Sequence, residues 1–225
     1  MSHKLEGVVL SITPYQEASA MSYVLTKDYG LVRFVLQGFY KPTSKMQAIG
    51  MPFAQVIYRT NYQANRLLKC FGGEVIQAHT QQRQNYEWLV LMSLMAELII
   101  HNYDYCPKEG LYEAVLSNLE TLRIERLLKL IVIIIEGLGL HPYLSACVVC
   151  EDHRIHGFSL ELGGFTCKQH TAIDDSYEYL VLLGQLFHHK TLITQDQELL
   201  QESLVQLVRY LEFHTNVRYN SIGLL

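Results

Sequence analysis

Cys147 and Cys150, followed after 16 intervening residues by Cys167 and His170, form a Cys-x2-Cys and Cys-x2-His pattern. Each pair fits a tight turn that lets two side chains converge on one ion, and the segment between them returns the chain to it, so the spacing is that of a tetrahedral zinc site. Gly157, Gly163 and Gly164 punctuate that segment, and Phe158 to Phe165 reads as two short strands with a turn. Three thiolates and an imidazole fill all four positions and leave none for water, so the expected metal is structural, one Zn2+ per chain. A zinc deaminase would need a His-x-Glu and a Pro-Cys-x-x-Cys. Here Cys147 follows Ala146, and the nearest histidine upstream, His141, begins His-Pro-Tyr.

Cys70 and Cys106 are left over and read as buried thiols, which argues for a reducing compartment and a cytoplasmic protein. Met1 to Glu6 lacks the basic region and apolar block of a signal peptide. The most apolar run, Leu127 to Leu140, is interrupted by Lys129 and Glu136 and is too short to span a bilayer. It is expected to be a core helix, with no membrane partner.

Up to about residue 80 the hydrophobic period is two. Candidate strands are Glu6 to Thr13, Ser22 to Thr26, Leu31 to Gln37, Phe53 to Arg59 and Leu67 to Ile76, with Lys27-Asp28-Tyr29-Gly30 as a hairpin turn in which Gly30 takes a positive φ. Five strands with a longer connection between the third and fourth suggest an OB-fold. From Asn85 the period becomes helical. Helices are expected from Tyr86 to Asn102, from Pro107 to Leu119, from Glu125 to Gly137, after an N-terminus at Asp174 and Asp175, and from Asp196 to Thr215. The predicted fold class is therefore α+β: an N-terminal OB-fold β-barrel domain over 1–80, then a mainly α-helical domain over 81–225 with a zinc-binding insert at about 141–171.

Charge divides along the same line. Residues 1–80 carry a balance of +4, and since the whole chain is −4, the remainder carries −8. A locally basic barrel can attract a polyanion even on an acidic chain. Phe39, Tyr40, Lys41 and Lys45, then Tyr58, Arg59 and Tyr62, with Arg66 and Lys69 following, mix rings for base stacking with cations for phosphates; Arg33 adds another cation. In a small barrel, alternate tyrosines are more often core or solvated edge residues than base platforms. Arg123, Arg126 and Lys129 recur every three residues beside Leu122, Leu127 and Leu130, a face suited to an acidic peptide with an apolar anchor, or else a solvated edge neutralised by Glu120 and Glu125. No phosphate-binding Gly-rich loop, Gly-x-Ser-x-Gly or His-Glu-x-x-His is present.

Three stretches resemble the RecO family of bacterial recombination mediators. The first holds Gly7-Val8-Val9-Leu10, Lys27-Asp28-Tyr29-Gly30-Leu31-Val32 and Gln37-Gly38 leading to Lys41-Pro42-Thr43-Ser44. The second is Gly137-Leu138-Gly139-Leu140-His141-Pro142 with Leu144, running into Cys147 and Cys150. The third is Phe158-Ser159, Gly163-Gly164, Cys167 and His170. The chain departs from the family in having Gly38-Phe39-Tyr40-Lys41 where arginine is usual, and His170 where cysteine is common. The resemblance implies a non-enzymatic DNA repair protein that binds single- and double-stranded DNA, anneals complementary strands and, with RecR, places RecA on strands coated by single-strand-binding protein, whose C-terminal tail would be a further partner. A structural-zinc interaction module without DNA binding remains the alternative.

Overall fold

The alternation read in the first 80 residues builds a closed five-stranded barrel. In the computed structural model, which describes residues 3–61, 63 and 66–225, β1 (His3–Tyr15), β2 (Ser19–Thr26), β3 (Gly30–Leu36), β4 (Gln55–Thr60) and β5 (Leu68–Gln77) pair in the order β1-β2-β3-β5-β4, with β4 closing back on β1. This is an OB-fold. Every pairing is antiparallel except β3 with β5, which pairs parallel at Phe34–Leu68 and Val35–Lys69. The one-turn helix α1 (Met46–Ile49) lies in the long connection between β3 and β4.

Inward alternation supplies the barrel core: Val9, Val24, Phe34, Val56 and Tyr58 are fully buried, with Leu68 and Cys70 from β5. The Phe34 and Tyr58 rings stack at 4.5 Å, and the Tyr58 hydroxyl donates to the Ile49 carbonyl at 2.5 Å, which satisfies its one polar atom inside the core. Gly30 takes φ +66° at the β2–β3 turn, as its position suggested; a Cβ there would also collide with the Tyr103 hydroxyl.

The chain divides into two compact units, Met1–Tyr103 with Pro107–Leu122, and Asp104–Cys106 with Arg123–Leu225. The last barrel strand ends at Gln77, and the unit that holds the barrel runs on through α2 (Tyr86–Asn102) and α3 (Leu111–Glu120). Both helices cover barrel surface. Trp88 of α2 meets Phe53 edge-on at 5.5 Å, and the Tyr112 hydroxyl of α3 donates to the Glu6 carboxylate at 3.1 Å. Asn85 caps α2 by accepting the Trp88 N–H. The third helix does not open at Pro107: Gly110, at φ +74°, interrupts the helical path, and α3 begins after it.

In the second unit, α4 (Ile124–Gly137), α5 (Tyr177–Phe187) and α6 (Gln197–Thr215) pack together through Leu128, Ile131, Ile135, Leu183, Leu204, Leu207 and Leu211. The hairpin of β6 (Ile155–Ser159) and β7 (Gly164–Cys167) stands between α4 and α5 in sequence. The cap of α5 is Ser176, whose hydroxyl accepts the Tyr179 N–H, and not the preceding acids. Asp175 instead accepts the Phe158 N–H at 2.7 Å, and Asp174 lies 3.4 Å from His156. Asp196 caps α6 through the N–H groups of Glu198 and Leu199.

Candidate metal centre and nucleic-acid interface

Two turns bring the four sequence-proposed ligands together. The Glu151 N–H bonds the Cys147 carbonyl at 2.8 Å and folds the first pair; the His170 and Thr171 N–H groups bond the Cys167 carbonyl at 2.9 Å and fold the second. The ligand atoms of Cys147, Cys150, Cys167 and His170 all lie within 4.8 Å of one another. A tetrahedron with metal–sulfur bonds of about 2.3 Å has sulfur–sulfur edges of about 3.8 Å and sulfur–nitrogen edges of about 3.6 Å. The Cys150–Cys167 Sγ separation is 3.7 Å, and His170 Nδ1 lies 3.6 Å from Cys147 Sγ and 3.3 Å from Cys167 Sγ. The donor set therefore fits an ion, and 3.7 Å is far too long for a disulfide.

Desolvation pushes the Cys147 thiol up, but backbone N–H groups of Cys167, Val149 and Cys150 outweigh it and hold the thiol at about 6, which favours the thiolate that metals bind. The hairpin is anchored in its own unit: Phe158 packs on Tyr210 at 5.7 Å, and the Tyr210 hydroxyl donates to the Leu140 carbonyl at 2.8 Å. A metal here would brace the segment that joins α4 to α5.

The sequence-proposed DNA residues do not form one cluster. Arg33 points outward from β3 directly across from Tyr23 of β2, on the strand pair that carries ligands in OB-folds. Two residues along β3, Val35 pairs with Lys69 of β5; two further along β5 stands Phe71, 51% exposed. Gly72 pairs with Arg59 of β4, and Arg59 with Lys4 of β1. Cations and rings thus follow the outer register from β2 to β1. In the β3–β4 connection, Tyr40 is 48% exposed and its N–H bonds the Ala18 carbonyl in the β1–β2 turn, with Lys41 and Lys45 exposed nearby in sequence. Arg66 is exposed in the β4–β5 connection and donates to Gln63 at 3.1 Å.

Two aromatics from the sequence reading go elsewhere. Phe39 packs partly buried against the barrel core, its ring beside the Gly50 position, and Tyr58 is wholly inside. Tyr62 lies outside the described residues. Conversely, Tyr23 and Phe71 present outward rings that the sequence reading passed over. The alternation of Lys69 and Phe71 against buried Leu68 and Cys70 was the available signal.

Of the other basic set, Arg123 precedes α4, Arg126 is half-buried and Lys129 is exposed. Lys129 borders a cavity of about 210 Å³ with Val132, Ile133, Leu186, His189 and Lys190. Arg123 and Arg126 do not line it.

Residues 1–79 match the family described as Recombination protein O N terminal. The barrel is thus similar to the N-terminal domain of RecO proteins. Beyond it, the chain is 29% identical over 183 residues to the DNA repair protein RecO of Exiguobacterium sibiricum, covering 78% of this chain and 73% of that protein. It is 27% identical over 177 residues to the RecO of Bacillus subtilis, covering 75% and 69%, and 25% identical over 213 residues to that of Halalkalibacterium halodurans, covering 84% and 78%. The resemblance to the RecO family therefore reaches well past the N-terminal domain, and it supports a role in DNA repair and recombination. Among the described residues, no helix is long and apolar enough to cross a membrane.

Proposed function

We propose that this protein is a cytoplasmic recombination mediator that works by binding and positioning rather than by catalysis. Residues 1–80 would hold single- and double-stranded DNA, and the helical domain over 81–225, with its insert at about 141–171, would engage proteins. The observation that carries this reading is the outward series Tyr23, Arg33, Lys69, Phe71 and Arg59 on an OB barrel that matches the RecO N-terminal family. Phosphates would pair with the cations, and bases would stack on Tyr23, Tyr40 or Phe71. Two strands held on one basic surface meet at high effective concentration, which accelerates annealing.

On this reading RecR joins the protein to place RecA on strands coated by single-strand-binding protein. The acidic, apolar-ended tail of single-strand-binding protein would enter the cavity beside Lys129, its carboxylates meeting Lys129, Lys190 and His189 and its apolar end resting on Val132, Ile133 and Leu186. The metal held by Cys147, Cys150, Cys167 and His170 is read as Zn2+, one per chain, because three thiolates and an imidazole are its customary structural set. It would stiffen the helical domain and supply no reactive site.

Titration of a fluorescent single-stranded oligonucleotide across a salt series tests the DNA arm. Affinity should fall with salt at a log–log slope of about −0.7 per phosphate contact. A flat or absent response would leave a zinc-braced protein-interaction module as the better account.

A further inference from the structure

Arg59 of β4 pairs with Gly72 of β5, and the next residue, Thr60, pairs with Cys70, so Phe71 is an extra residue with no partner across the ladder. This is a β-bulge, which sets two residues opposite one and re-aims side chains. Phe71 stands outward, 51% exposed. The following position faces outward too. A Cβ built on Gly72 would lie 3.2 Å from Nη2 of Arg59 and 3.9 Å from its Nε and Cζ, whereas one built on Gly73 would meet Val56 of the core. The Arg59 guanidinium therefore fills the space that a side chain at position 72 would take, beside the Phe71 position. Gly72 also holds φ +141°, which a side chain would disfavour.

The bulge is held from inside the barrel. Cys70 is buried; the Gly72 N–H donates to its Sγ at 3.3 Å, and the thiol donates to the Gly72 carbonyl at 3.4 Å. Burial pushes the Cys70 thiol up, against the opposing effects of Gly72 and Arg59, so the thiol keeps the proton it donates.

Charge around the bulge is one-sided. Lys4 of β1 is directly opposite Arg59, and Lys69 is the outward residue before Phe71 on β5. Two residues further along β4, Ile57 has Glu6 of β1 on one side and Glu74 of β5 on the other. A polyanion is drawn across the sheet over Lys69, Arg59 and Lys4 and turned away from the row that holds Glu6 and Glu74. That path passes Phe71. A ring can stack only on a base whose face is free, and inside a duplex both faces of each base are covered by its neighbours. A duplex can meet these cations but not the ring.

Resting on the DNA-binding reading above, we propose that the β4–β5 bulge is a subsite for one unpaired nucleotide, its base stacked on Phe71 and its phosphate on Arg59, with Gly72 as the positioning residue that lets the two lie side by side. Pairing withdraws the base from the ring. The subsite thus prefers separate strands to the duplex they form, and annealing itself loosens the hold on its product.

The test compares three fluorescent probes of about 15 nucleotides on the full-length chain: oligothymidylate, the same backbone with abasic sites throughout, and a blunt duplex. The parent should bind oligothymidylate at least about fivefold more tightly than the abasic strand. Phe71→Leu should lose about fivefold or more on oligothymidylate and less than about twofold on the abasic strand and the duplex. Losses from Phe71→Leu and Arg59→Ala should be less than additive on oligothymidylate, because both act on one nucleotide, and additive on the duplex. Gly72→Ala puts a methyl where the guanidinium lies and should weaken oligothymidylate more than duplex; if backbone strain lowers its melting temperature, Phe71→Leu, at an exposed position, still decides. Equal losses of Phe71→Leu on oligothymidylate and duplex, equal binding of oligothymidylate and the abasic strand by the parent, or full additivity on oligothymidylate would overturn the subsite while leaving DNA binding intact. Binding of none of the probes would overturn the DNA-binding reading and the subsite with it.

Discussion

The Tyr112 hydroxyl donates to the Glu6 carboxylate at 3.1 Å across 106 residues of sequence, joining α3 to the first barrel strand, and Gln55 of β4 donates to the same carboxylate at 2.8 Å. The barrel's outer wall and α3 thus share one polar node. Tyr112→Phe should lower the stability of the barrel-containing unit by about 1 kcal/mol, the ordinary net value of one such hydrogen bond. Urea unfolding followed by the fluorescence of Trp88, the lone tryptophan, reads it. A fragment ending at residue 80 should be less stable than one ending at residue 122, because it exposes Phe53 and leaves Glu6 without Tyr112.

Removing the metal should cost more than removing any one hydrogen bond. Protein prepared without chelator should contain one zinc per chain by elemental analysis, and Cys147→Ser or Cys167→Ser should lower both metal content and melting temperature, since metal binding is coupled to folding. Metal-free protein as stable as the holo form would rule out the bracing role.

The DNA surface makes a prediction that separates rings from cations. Arg33→Ala and Arg59→Ala should each reduce the salt slope of single-strand binding if their guanidinium groups meet phosphate. Tyr40→Ala and Phe71→Ala should weaken binding by about 1 to 3 kcal/mol at nearly unchanged slope. Phe39→Ala should act differently, lowering thermal stability before affinity, because that ring packs on the core. A Phe39 variant of parental stability with impaired binding would return Phe39 to the interface.

His79 supplies a pH dependence. It is buried at the end of the barrel, and its Nε2 has no partner among the described residues. Burial pulls its pKa below 6.5, Glu120 opposes that and Arg83 adds to it. The folded protein therefore prefers the neutral ring, and the unfolded chain takes up the proton first as pH falls. Stability from this preference is fully present above about pH 6.5 and is lost as pH drops through the folded value. The urea midpoint should decline between pH 7.5 and 5.5 by more in the parent than in His79→Gln; parallel declines would exclude His79 as the cause.

The partner cavity can be probed by charge reversal. Lys129→Glu should weaken binding of the single-strand-binding protein tail peptide by at least about fivefold, while Arg209→Glu, an exposed reversal on α6, should have little effect. Matching losses would mean that the field of the whole unit, not this cavity, attracts the peptide.

What could be read from the sequence followed the range of the interactions involved. The Cys147 to His170 set was legible because two turns of local geometry suffice to converge it. The helix Tyr86 to Asn102 was legible to the residue because Asn85 caps it and its period is local. The α5 start was misjudged because Asp174, Asp175 and Ser176 all suit a cap, and only the β6 hairpin, by claiming Asp175, leaves Ser176 to do it. Barrel order and the sorting of aromatics were harder. Register shifts between Val9 and Ser11 and between Arg59 and Thr60 break the pairing across strands, so the alternation that marks Phe71 as outward within β5 does not carry over to the strands that hold Tyr23 and Tyr58.

The parallel pairing of β3 with β5 also bears on how the chain is made. Residues 37–67 separate these strands, so a ribosome emitting about 5 to 20 residues per second exposes an unclosed edge of β3 for roughly 2 to 6 seconds before β5 follows. During that interval β3 is paired only with β2, and a bare strand edge can recruit a neighbouring nascent chain. Polysomes translating this message would be the place where such mispairing begins, and slowing elongation between codons 37 and 67 should lower the yield of soluble protein.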